Sequence, residues 1–293
     1  MEKETGSLEV TESNKQQWTL VLEPSRGWFD LHLKEVWQYR DLLLLFVRRD
    51  FVSVYKQTIL GPLWFFIQPL LTTLVFFVIF GKIAKIPTDG IPQPLFYLAG
   101  IVGWNYFAEC LRTTSDSFKK NEHIFGKVYF PRIIMPLSVV ISNLLKFGIQ
   151  LLLFLAVMGW YLYMDAAISP NAYVLLFPML VLMIAGLGLG FGCIISSLTT
   201  KYRDLSFLIA FAIQLGLYAT PVIYPLSEVP DYLRLFVLLN PMSSIIEAFR
   251  SMFLGTGAFN IGYLAYSFIA MLLILVSGII IFNRRERTFM DTI

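Results

Sequence analysis

Long apolar runs alternate with short polar stretches along this chain. Six of the runs approach or exceed the roughly 20 helical residues that cross about 30 Å of hydrocarbon. They lie at about 62–80, 94–111, 138–163, 172–198, 205–224 and 259–282. The pattern predicts an all-α integral membrane protein with six transmembrane helices.

Residues 28–52 differ from these runs because charged residues recur throughout them. An apolar stripe recurs there at helical spacing, with polar residues away from it and Arg40 interrupting it. The stripe is Phe29, Leu33, Val36, Trp37, Leu44, Val47 and Phe51, and the polar set is Lys34, Glu35, Gln38, Asp41 and Arg49. We predict an amphipathic interface helix. It is either a membrane-surface anchor or a moving gate element that contacts an anionic lipid headgroup through Arg48 or Arg49.

The segment 225–258 is too apolar for an ordinary loop. Pro230, the Asn240-Pro241 pair and several charges nevertheless interrupt it, so it does not resemble one clean crossing. We predict two short re-entrant helices in the outer leaflet between spans five and six, because helical backbone satisfies its own hydrogen bonds there. The alternative is a seventh crossing, which would place the C-terminal tail and its arginines outside.

Basic residues lie mostly on one side of the predicted spans. Of the 23 Lys and Arg residues, 18 fall on the side of the N-terminus, 4 on the other side, and Lys146 lies within the third span. This asymmetry predicts that both termini are cytoplasmic. The net charge of +3 is too small to indicate a nucleic-acid partner. We expect a polar cytoplasmic tail at 1–27 without a secretory signal, the interface helix at 28–52 and one transmembrane domain at 53–293.

Catalytic and metal-binding patterns are missing from the sequence. Neither Gly-Lys pair, Gly81-Lys82 or Gly126-Lys127, has a glycine at the spacing of a phosphate-binding loop. The two histidines and the two cysteines, Cys110 and Cys193, show no ligand spacing. We therefore expect no metal and no cofactor bound by this chain, and an energy source in another protein.

The loop 112–132 mixes charged and aromatic residues and is long for a simple connection. A short amphipathic helix near residues 121–127 would present a set of side chains to a cytoplasmic subunit. That set is Glu122, His123, Ile124, Phe125 and Lys127. The alternative is a solvated basic loop held against anionic lipid.

Two features inside the predicted spans leave alternatives open. Lys146 is either buried in a long third helix, or it marks the cytoplasmic edge of a crossing that starts at Phe147, with 133–145 along the interface. The second alternative is favoured, because 147–164 is just long enough to cross. The alternate glycines of the fourth span allow close helix packing, within one protomer or at a dimer seam; they are Gly186, Gly188, Gly190 and Gly192.

Several short motifs occur in a characteristic order. The segment YKQTILGPLW at 55–64 leads into the first span, and it is followed by FPR at 130–132, KYRD at 201–204 and YATPVIYP at 218–225. Together with Asn240-Pro241, this order resembles type-2 ABC exporter permeases, and within them the polysaccharide branch of O-antigen and teichoic acid exporters. The resemblance covers about residues 25–285, and LGPLW is its most specific motif.

The resemblance implies a homodimeric channel in the bacterial inner membrane that transports an undecaprenyl-diphosphate-linked polysaccharide. Each copy would bind a separate nucleotide-binding ATPase subunit, which holds ATP and Mg, and the loop 112–132 would hold the coupling helix. The expected gate and lipid-headgroup residues are Arg48, Arg49, Gly61, Pro62 and Trp64.

Aromatic residues are candidates for a glycan path, since sugar C–H faces stack on rings. They are Tyr97, Trp104, Tyr106, Phe107, Tyr218 and Tyr224. The alternative is the interfacial aromatic belt of any membrane protein. Two other functions stay open: a permease for drugs, simple lipids or teichoic acid, and a membrane enzyme acting on polyprenyl-linked sugars through Glu228, Asp231 and Glu247.

Overall fold

The computed structural model describes residues 33–56, 59–125, 130–199, 204–257 and 259–290. All of the described residues belong to one compact unit. The predicted tail at 1–27, the start of the predicted interface helix, Lys127 and residues 201–203 lie outside the described residues.

Helices form nearly all of the regular structure that is described. The first two are α1 (Leu33–Gln38) and α2 (Arg40–Tyr55). A 3-10 turn at Gly61–Leu63 then leads into α3 (Trp64–Phe76), which continues as a π-helix at Phe77–Ile83. The remaining helices are α4 (Gln93–Ser115), α5 (Ser117–Phe125), α6 (Ile134–Tyr163), α7 (Phe177–Thr199), α8 (Leu205–Ala219), α9 (Asp231–Leu239), α10 (Pro241–Leu254) and α11 (Ile261–Met290).

Four helices in the described part of the chain are long and apolar enough to cross a membrane. They are Gly61–Ile83, Ile134–Tyr163, Ala172–Thr199 and Ile261–Arg284. They coincide with four of the six predicted spans, so the prediction of an all-helical membrane protein is confirmed. The predicted span at 94–111 corresponds to α4, which has the length but carries Asn105, Glu109 and Arg112. The count of six stays a prediction.

The fifth predicted span, 205–224, is wrong at its second boundary. The helix α8 ends at Ala219 and has only 15 residues. Thr220 adopts an extended conformation, with φ −108° and ψ 142°, because the ring of Pro221 disfavours helical backbone at the residue before it. The apolar residues of the YATPVIYP motif beyond Ala219 therefore form a turn, although hydropathy alone continues the span through them.

The helix α7 packs tightly between α4 and α11, and its alternate glycines make this possible. In a helix, residues four apart share a face and residues two apart lie on nearly opposite faces. A methyl group at Gly190 would lie 2.8 Å from the backbone of Leu275 on α11. A methyl group at Gly188 would lie 2.6 Å from the Cys110 side chain on α4. The glycines thus serve packing within one protomer, one of the two alternatives predicted.

The helices α9 and α10 form the predicted pair of short helices. They meet at an angle of 96°, which fits either a broken span or a re-entrant loop. Pro241 occupies the first turn of α10, and the Asn240 side chain accepts a 3.0 Å hydrogen bond from the Met242 backbone N–H. The Asn240 side chain therefore caps the first N–H of α10 at the point where the chain turns sharply. All side chains of α10 from Met242 onward are buried.

The helix α2 packs against α6, and its packed face differs from the predicted stripe. Phe46 and Val47 are buried, and the Phe46 ring lies 5.8 Å from that of Phe130. Trp37 and Leu44, which were placed in the stripe, are exposed. Trp37 lies on α1 and Leu44 on α2, and both stay available to a membrane surface. The predicted contact of the stripe with the membrane stays a prediction, since a hydropathy pattern does not distinguish a protein contact from a lipid contact.

The helix α6 runs without interruption through Lys146. A break before Phe147, with residues 133–145 forming a separate interface segment, is not observed. Lys146 instead lies largely buried against α4, with its ammonium 2.9 Å from the Asn143 amide oxygen. The long third helix, which the sequence left as the less favoured alternative, is the one found, because local polar partners satisfy the charge.

Candidate functional site

A short helix, α5, connects the ends of the two long helices α4 and α6. It begins at Ser117 rather than near residue 121, so it starts earlier than predicted. Phe118 is buried and stacks on Phe282 of α11 with ring centroids 4.4 Å apart. The Asn121 side chain donates a 3.0 Å hydrogen bond to the Ser117 carbonyl and accepts one from Arg49 of α2 at 3.4 Å. The helix α5 is therefore attached to both the first and the last parts of the bundle.

The predicted coupling residues lie at the second half of α5 and beyond it. Glu122, His123 and Phe125 are within the helix, although their side chains are not among those described, and Ile124 is half-buried. Lys127 lies outside the described residues. Sequence reasoning missed Lys119 and Lys120, which are exposed on the same helix. Their exposure could have been anticipated. Phe118 and Asn121 are three positions apart and lie on one buried face of the helix, so the two residues between them point away from that face.

Glu109 of α4 is the centre of an ion-pair cluster beside α5. Its carboxylate oxygens lie 2.7 Å from the Arg112 guanidinium and 3.8 Å from the Lys146 ammonium. Asn143 adds a 3.0 Å hydrogen bond from its amide to the Thr113 hydroxyl. The cluster joins α4 to α6 through ion pairs and hydrogen bonds. The two helices that precede and follow α5 in the chain are therefore held together near their α5 ends.

Arg48 and Arg49, predicted at a gate, have different surroundings. Both are exposed on the second half of α2. Arg49 lies 2.8 Å from the Asp50 carboxylate and 4.7 Å from the centre of the Phe46 ring, in addition to its contact with Asn121. Its role in the structure is therefore to connect α2 with α5. Arg48 is turned to the surface.

The residues Gly61, Pro62 and Trp64 form the turn between α2 and α3. Gly61 has φ +50°, a left-handed conformation that glycine adopts without a steric penalty. Pro62 is the second residue of the 3-10 turn, where a missing N–H has no cost. Trp64 and its neighbours Ile59 and Leu63 are exposed, so the turn presents a large apolar surface at the start of the first span.

The six candidate aromatic residues occupy three different environments. Tyr97 and Tyr106 are buried in the core, with Tyr106 packed 4.9 Å from Phe147, so neither lines an open path in this conformation. Trp104 and Phe107 line an apolar cavity of about 340 Å³ between α4, α7 and α8.

The last two aromatic candidates lie at and just beyond the end of α8. Tyr218 is exposed, and Tyr224 donates a 3.1 Å hydrogen bond to the Tyr218 carbonyl. Of the six candidates, only Tyr218 is thus freely available at the protein surface.

A buried arginine organises the end of the bundle opposite α5. Arg250 of α10 donates to the carbonyls of Pro221 at 2.5 Å and Val222 at 2.6 Å, and it lies 3.2 Å from the Glu247 carboxylate. Its guanidinium also stacks 3.6 Å from the centre of the Phe96 ring. One side chain therefore joins α10, α4 and the turn after α8. The sequence signal for it is an Arg and a Glu three residues apart in an apolar helix.

The three acidic residues that kept an enzyme possible do not act together. Glu247 is buried against Arg250, whereas Glu228 and Asp231 are exposed. Among the residues that the structure describes, no group of three or more His, Cys, Asp or Glu side chains could hold a metal ion. Of the three, only Glu247 thus has a packing role, beside Arg250.

Several known proteins resemble this chain over most of its length. The profile of the family described as ABC-2 type transporter matches residues 41–254. The chain is 32% identical over 224 residues to the O-antigen export system permease protein RfbA of Myxococcus xanthus, which covers 75% of this chain and 83% of that protein. It is 27% identical over 251 residues to the protein of the same name from Klebsiella pneumoniae, covering 86% and 94%. The polysialic acid transport protein KpsM of Escherichia coli is 22% identical over 242 residues, covering 80% and 89%.

Proposed function

Because this chain belongs to the ABC-2 type transporter family, we propose that it is the permease of an ATP-driven exporter for an O-antigen-like polysaccharide. The observation that carries the proposal is the similarity to permeases described as O-antigen exporters, which extends over 83% and 94% of their lengths. A similarity of this extent includes the short helices as well as the spans. The chain itself would perform transport, while ATP hydrolysis takes place in a separate protein.

The proposed assembly contains two copies of the chain and two copies of a cytoplasmic ATPase subunit with its ATP and Mg. The substrate is a polysaccharide linked to undecaprenyl diphosphate. In this proposal the chain spans the bacterial inner membrane six times, with both termini and α5 on the cytoplasmic side. The distribution of basic residues supports this orientation.

The helix α5 is proposed as the coupling helix because of its contacts. A force applied to α5 reaches α2 through Arg49 and Asn121, and α11 through the Phe118–Phe282 stack. It also reaches α4 directly, since only Asp116 separates the two helices. Packed helices transmit such displacements because protein interiors have low compressibility.

The glycan path is proposed to lie between the two copies. Within one protomer the described cavity is lined almost wholly by apolar side chains, which do not match the hydroxyl groups of a sugar. The exposed faces of α3 and α8 are left without a protein neighbour, and they carry Trp64 and Tyr218. These two rings are therefore the preferred glycan contacts, whereas the buried Tyr97 and Tyr106 are not.

The alternatives have less support. The relatives reported above are described as exporters of O-antigen or polysialic acid, which favours a polysaccharide over a drug or a simple lipid. An enzyme acting on polyprenyl-linked sugars would need acids free to exchange protons. Glu247 is instead held by Arg250, which argues against that role.

A deletion strain complemented with variants tests the proposal. Deleting the gene should remove surface polysaccharide and leave lipid-linked polymer on the cytoplasmic side, and the wild-type gene should restore export. The double variant Lys119→Glu/Lys120→Glu should restore it poorly and should recover less ATPase on copurification. Lys85→Glu, an equally exposed lysine distant from α5, is the control and should behave as wild type.

Two results would reject parts of the proposal. Normal surface polysaccharide in the deletion strain would reject polysaccharide export itself. Full ATPase recovery with the double variant would leave export standing but reject the exposed face of α5 as the docking surface.

A further inference from the structure

Two exposed amide side chains lie within the apolar helices of the bundle. Gln68 is on α3 and Gln214 is on α8. Within the described parts of α3, α4, α6, α7 and α8 they are the only exposed amides; Asn143 and Gln150 of α6, by comparison, are buried. Neither Gln68 nor Gln214 forms a side-chain hydrogen bond with another residue that the structure describes. Both amides are therefore free to bind a group outside the protomer.

The position of these amides in a membrane protein restricts what the two helix faces can meet. An amide carries donors and acceptors that hydrocarbon cannot satisfy. A polar side chain in a span is therefore expected on a face that meets protein, water or a polar substrate. The helices α3 and α8 are the two whose exposed faces the proposed function places at the passage between copies. The amides thus support that placement independently of the aromatic rings.

Each amide shares a helical stripe with exposed aromatic residues. On α3, Trp64 precedes Gln68 by four positions. On α8, Phe211 precedes Gln214 by three positions and Tyr218 follows it by four. Residues three or four positions apart lie on the same face of a helix. The α8 residues that line the apolar cavity lie on the opposite side of the helix. Rings and amides are therefore presented together, away from the protein core.

The two amides also lie at similar depths. Gln68 is seven positions after Gly61, where the first span begins, and Gln214 is nine positions after Leu205, where α8 begins. At 1.5 Å per residue, these positions are about 10 Å and about 14 Å from the starts of their helices. Both helices run outward from the cytoplasmic side in the proposed orientation. A chain that passes between them would meet both amides near one level.

The chemistry of the two faces matches sugar hydroxyl groups. Residues 64–80 and 205–219 include no Asp, Glu, Lys or Arg. An amide donates and accepts hydrogen bonds, as a hydroxyl does. Hydrogen bonds between neutral groups are weaker than those assisted by a charge, so a moving polymer can exchange one contact for the next. The neighbouring rings offer apolar surface to the C–H faces of the same sugars.

A direct contact between amides of the two copies fits these faces less well. Hydrogen bonds between membrane helices accompany interfaces of small residues, which let the backbones approach closely. The stripes of Gln68 and Gln214 instead carry the bulky rings of Trp64, Phe211 and Tyr218. Rings of this size keep neighbouring backbones apart and leave room for a polymer.

We infer that Gln68 and Gln214 donate and accept hydrogen bonds with the hydroxyl groups of the polysaccharide as it moves between the two copies. The inference rests on the proposed function, and it adds two polar contacts to the aromatic ones. It also names the chemical group that the passage recognises, which is the neutral hydroxyl.

The reactivity of introduced cysteines tests whether the amides face a polar passage. The native Cys110 and Cys193 are buried, which favours selective labelling of an exposed thiol. In the full exporter complex, Gln68→Cys and Gln214→Cys should react with a charged methanethiosulfonate at least tenfold faster than Leu273→Cys. Leu273 is equally exposed, near the middle of the last span, and apolar surroundings suppress the reactive thiolate there.

The same reaction tests whether the polysaccharide occupies the passage. It is compared in cells that make the polymer and in cells of the same strain that lack a glycosyltransferase needed to make it. The polymer should slow modification of Gln68→Cys and of Gln214→Cys at least threefold, and it should leave Leu273→Cys unchanged.

Export by matched variants tests the role of the amide group. Gln68→Leu/Gln214→Leu should reduce surface polysaccharide at least fivefold, with normal recovery of the dimer and of the ATPase. Gln68→Asn/Gln214→Asn keeps both amides and should export at least twice as much as the leucine variant. Gln38→Leu makes the same change at an exposed amide of α1 and should export as wild type.

Three results would overturn the inference. Modification of both cysteines as slow as that of Leu273→Cys would place the amides in hydrocarbon or in a sealed contact between copies. Fast modification that the polymer does not slow would show a wet surface that the glycan does not touch. Full export by Gln68→Leu/Gln214→Leu would reject the inference and leave the proposed function standing, whereas normal surface polysaccharide in the deletion strain would reject both.

Discussion

Arg250 donates a 2.6 Å hydrogen bond to the backbone carbonyl of Val222, which lies 28 positions earlier in the chain. The bond joins α10 to the turn that follows α8, and it uses a side chain that is only 1% exposed. A buried guanidinium persists only when carbonyls, a carboxylate and an aromatic face satisfy it together. The turn after α8 is consequently fixed although most of α8 has few protein neighbours.

Replacing Arg250 should destabilise the protein strongly. Arg250→Leu removes the buried guanidinium that lies beside the Glu247 carboxylate and donates to two backbone carbonyls, a loss of about 3–5 kcal/mol. Thermal melting of the purified protein in detergent should show a much lower midpoint. Arg234→Leu, which removes an exposed arginine from α9, should change it little.

A double-variant cycle separates the ion pair from the backbone contacts of Arg250. The variant Glu247→Leu/Arg250→Leu should be less destabilised than the sum of the two single changes, because the double change strands no charge. Strict additivity would show that the carboxylate contributes nothing to holding the arginine.

The glycines of α7 should be sensitive to the smallest possible enlargement. Gly190→Ala introduces a methyl group 2.8 Å from the backbone of Leu275, so overpacking should cost about 1–3 kcal/mol. Gly159→Ala makes the same change in α6 with no atom within 4 Å, and its better helix propensity should stabilise by up to about 1 kcal/mol. Melting midpoints that move in opposite directions would verify this. A Gly190→Ala protein that loses its dimer but keeps its melting midpoint would instead indicate a seam between copies.

The ion-pair cluster beside α5 should respond unequally to removal of its members. Glu109→Gln takes away the partner of both Arg112 and Lys146, whereas Lys146→Met leaves the 2.7 Å contact between Glu109 and Arg112 intact. The first change should therefore lower the melting midpoint more than the second. Combining them should recover part of the loss, because no buried ammonium remains without a carboxylate. Equal effects of the two single changes would contradict the central position of Glu109.

Variants of the two neighbouring arginines of α2 should distinguish a role in coupling to α5 from a contact with lipid headgroups. Both are exposed, so substitution of either should cost no more than about 1 kcal/mol of stability. Arg49→Ala removes the contact of α2 with Asn121 of α5, and export should fall about two- to fivefold while ATPase binding stays normal. Arg48→Ala should leave export unchanged if only the contact with α5 matters. A larger loss with Arg48→Ala would favour a headgroup contact at that residue.

Hydropathy and charge distribution were sufficient for the large features of this protein. Four spans, the two short helices around Asn240 and a helix in the loop after α4 all follow from local sequence, since apolar length and proline position act over a few residues. The family motifs are local as well, and they indicated the exporter class that the comparisons support. None of these features requires knowledge of which helices are neighbours.

The tertiary structure decided which apolar surface faces protein and which is left open. Hydropathy is the same for a side chain buried in protein and for one in contact with lipid, so the packed face of α2 and the exposed face of α8 were beyond the reach of the sequence. The partners of charged side chains also come from distant parts of the chain. Lys146 reaches the Glu109 carboxylate, and Arg250 reaches the Val222 carbonyl, only because the helices that carry them pack together. Polar groups in an apolar surrounding are tolerated only when their partners arrive from other helices, and the assembled fold alone supplies them.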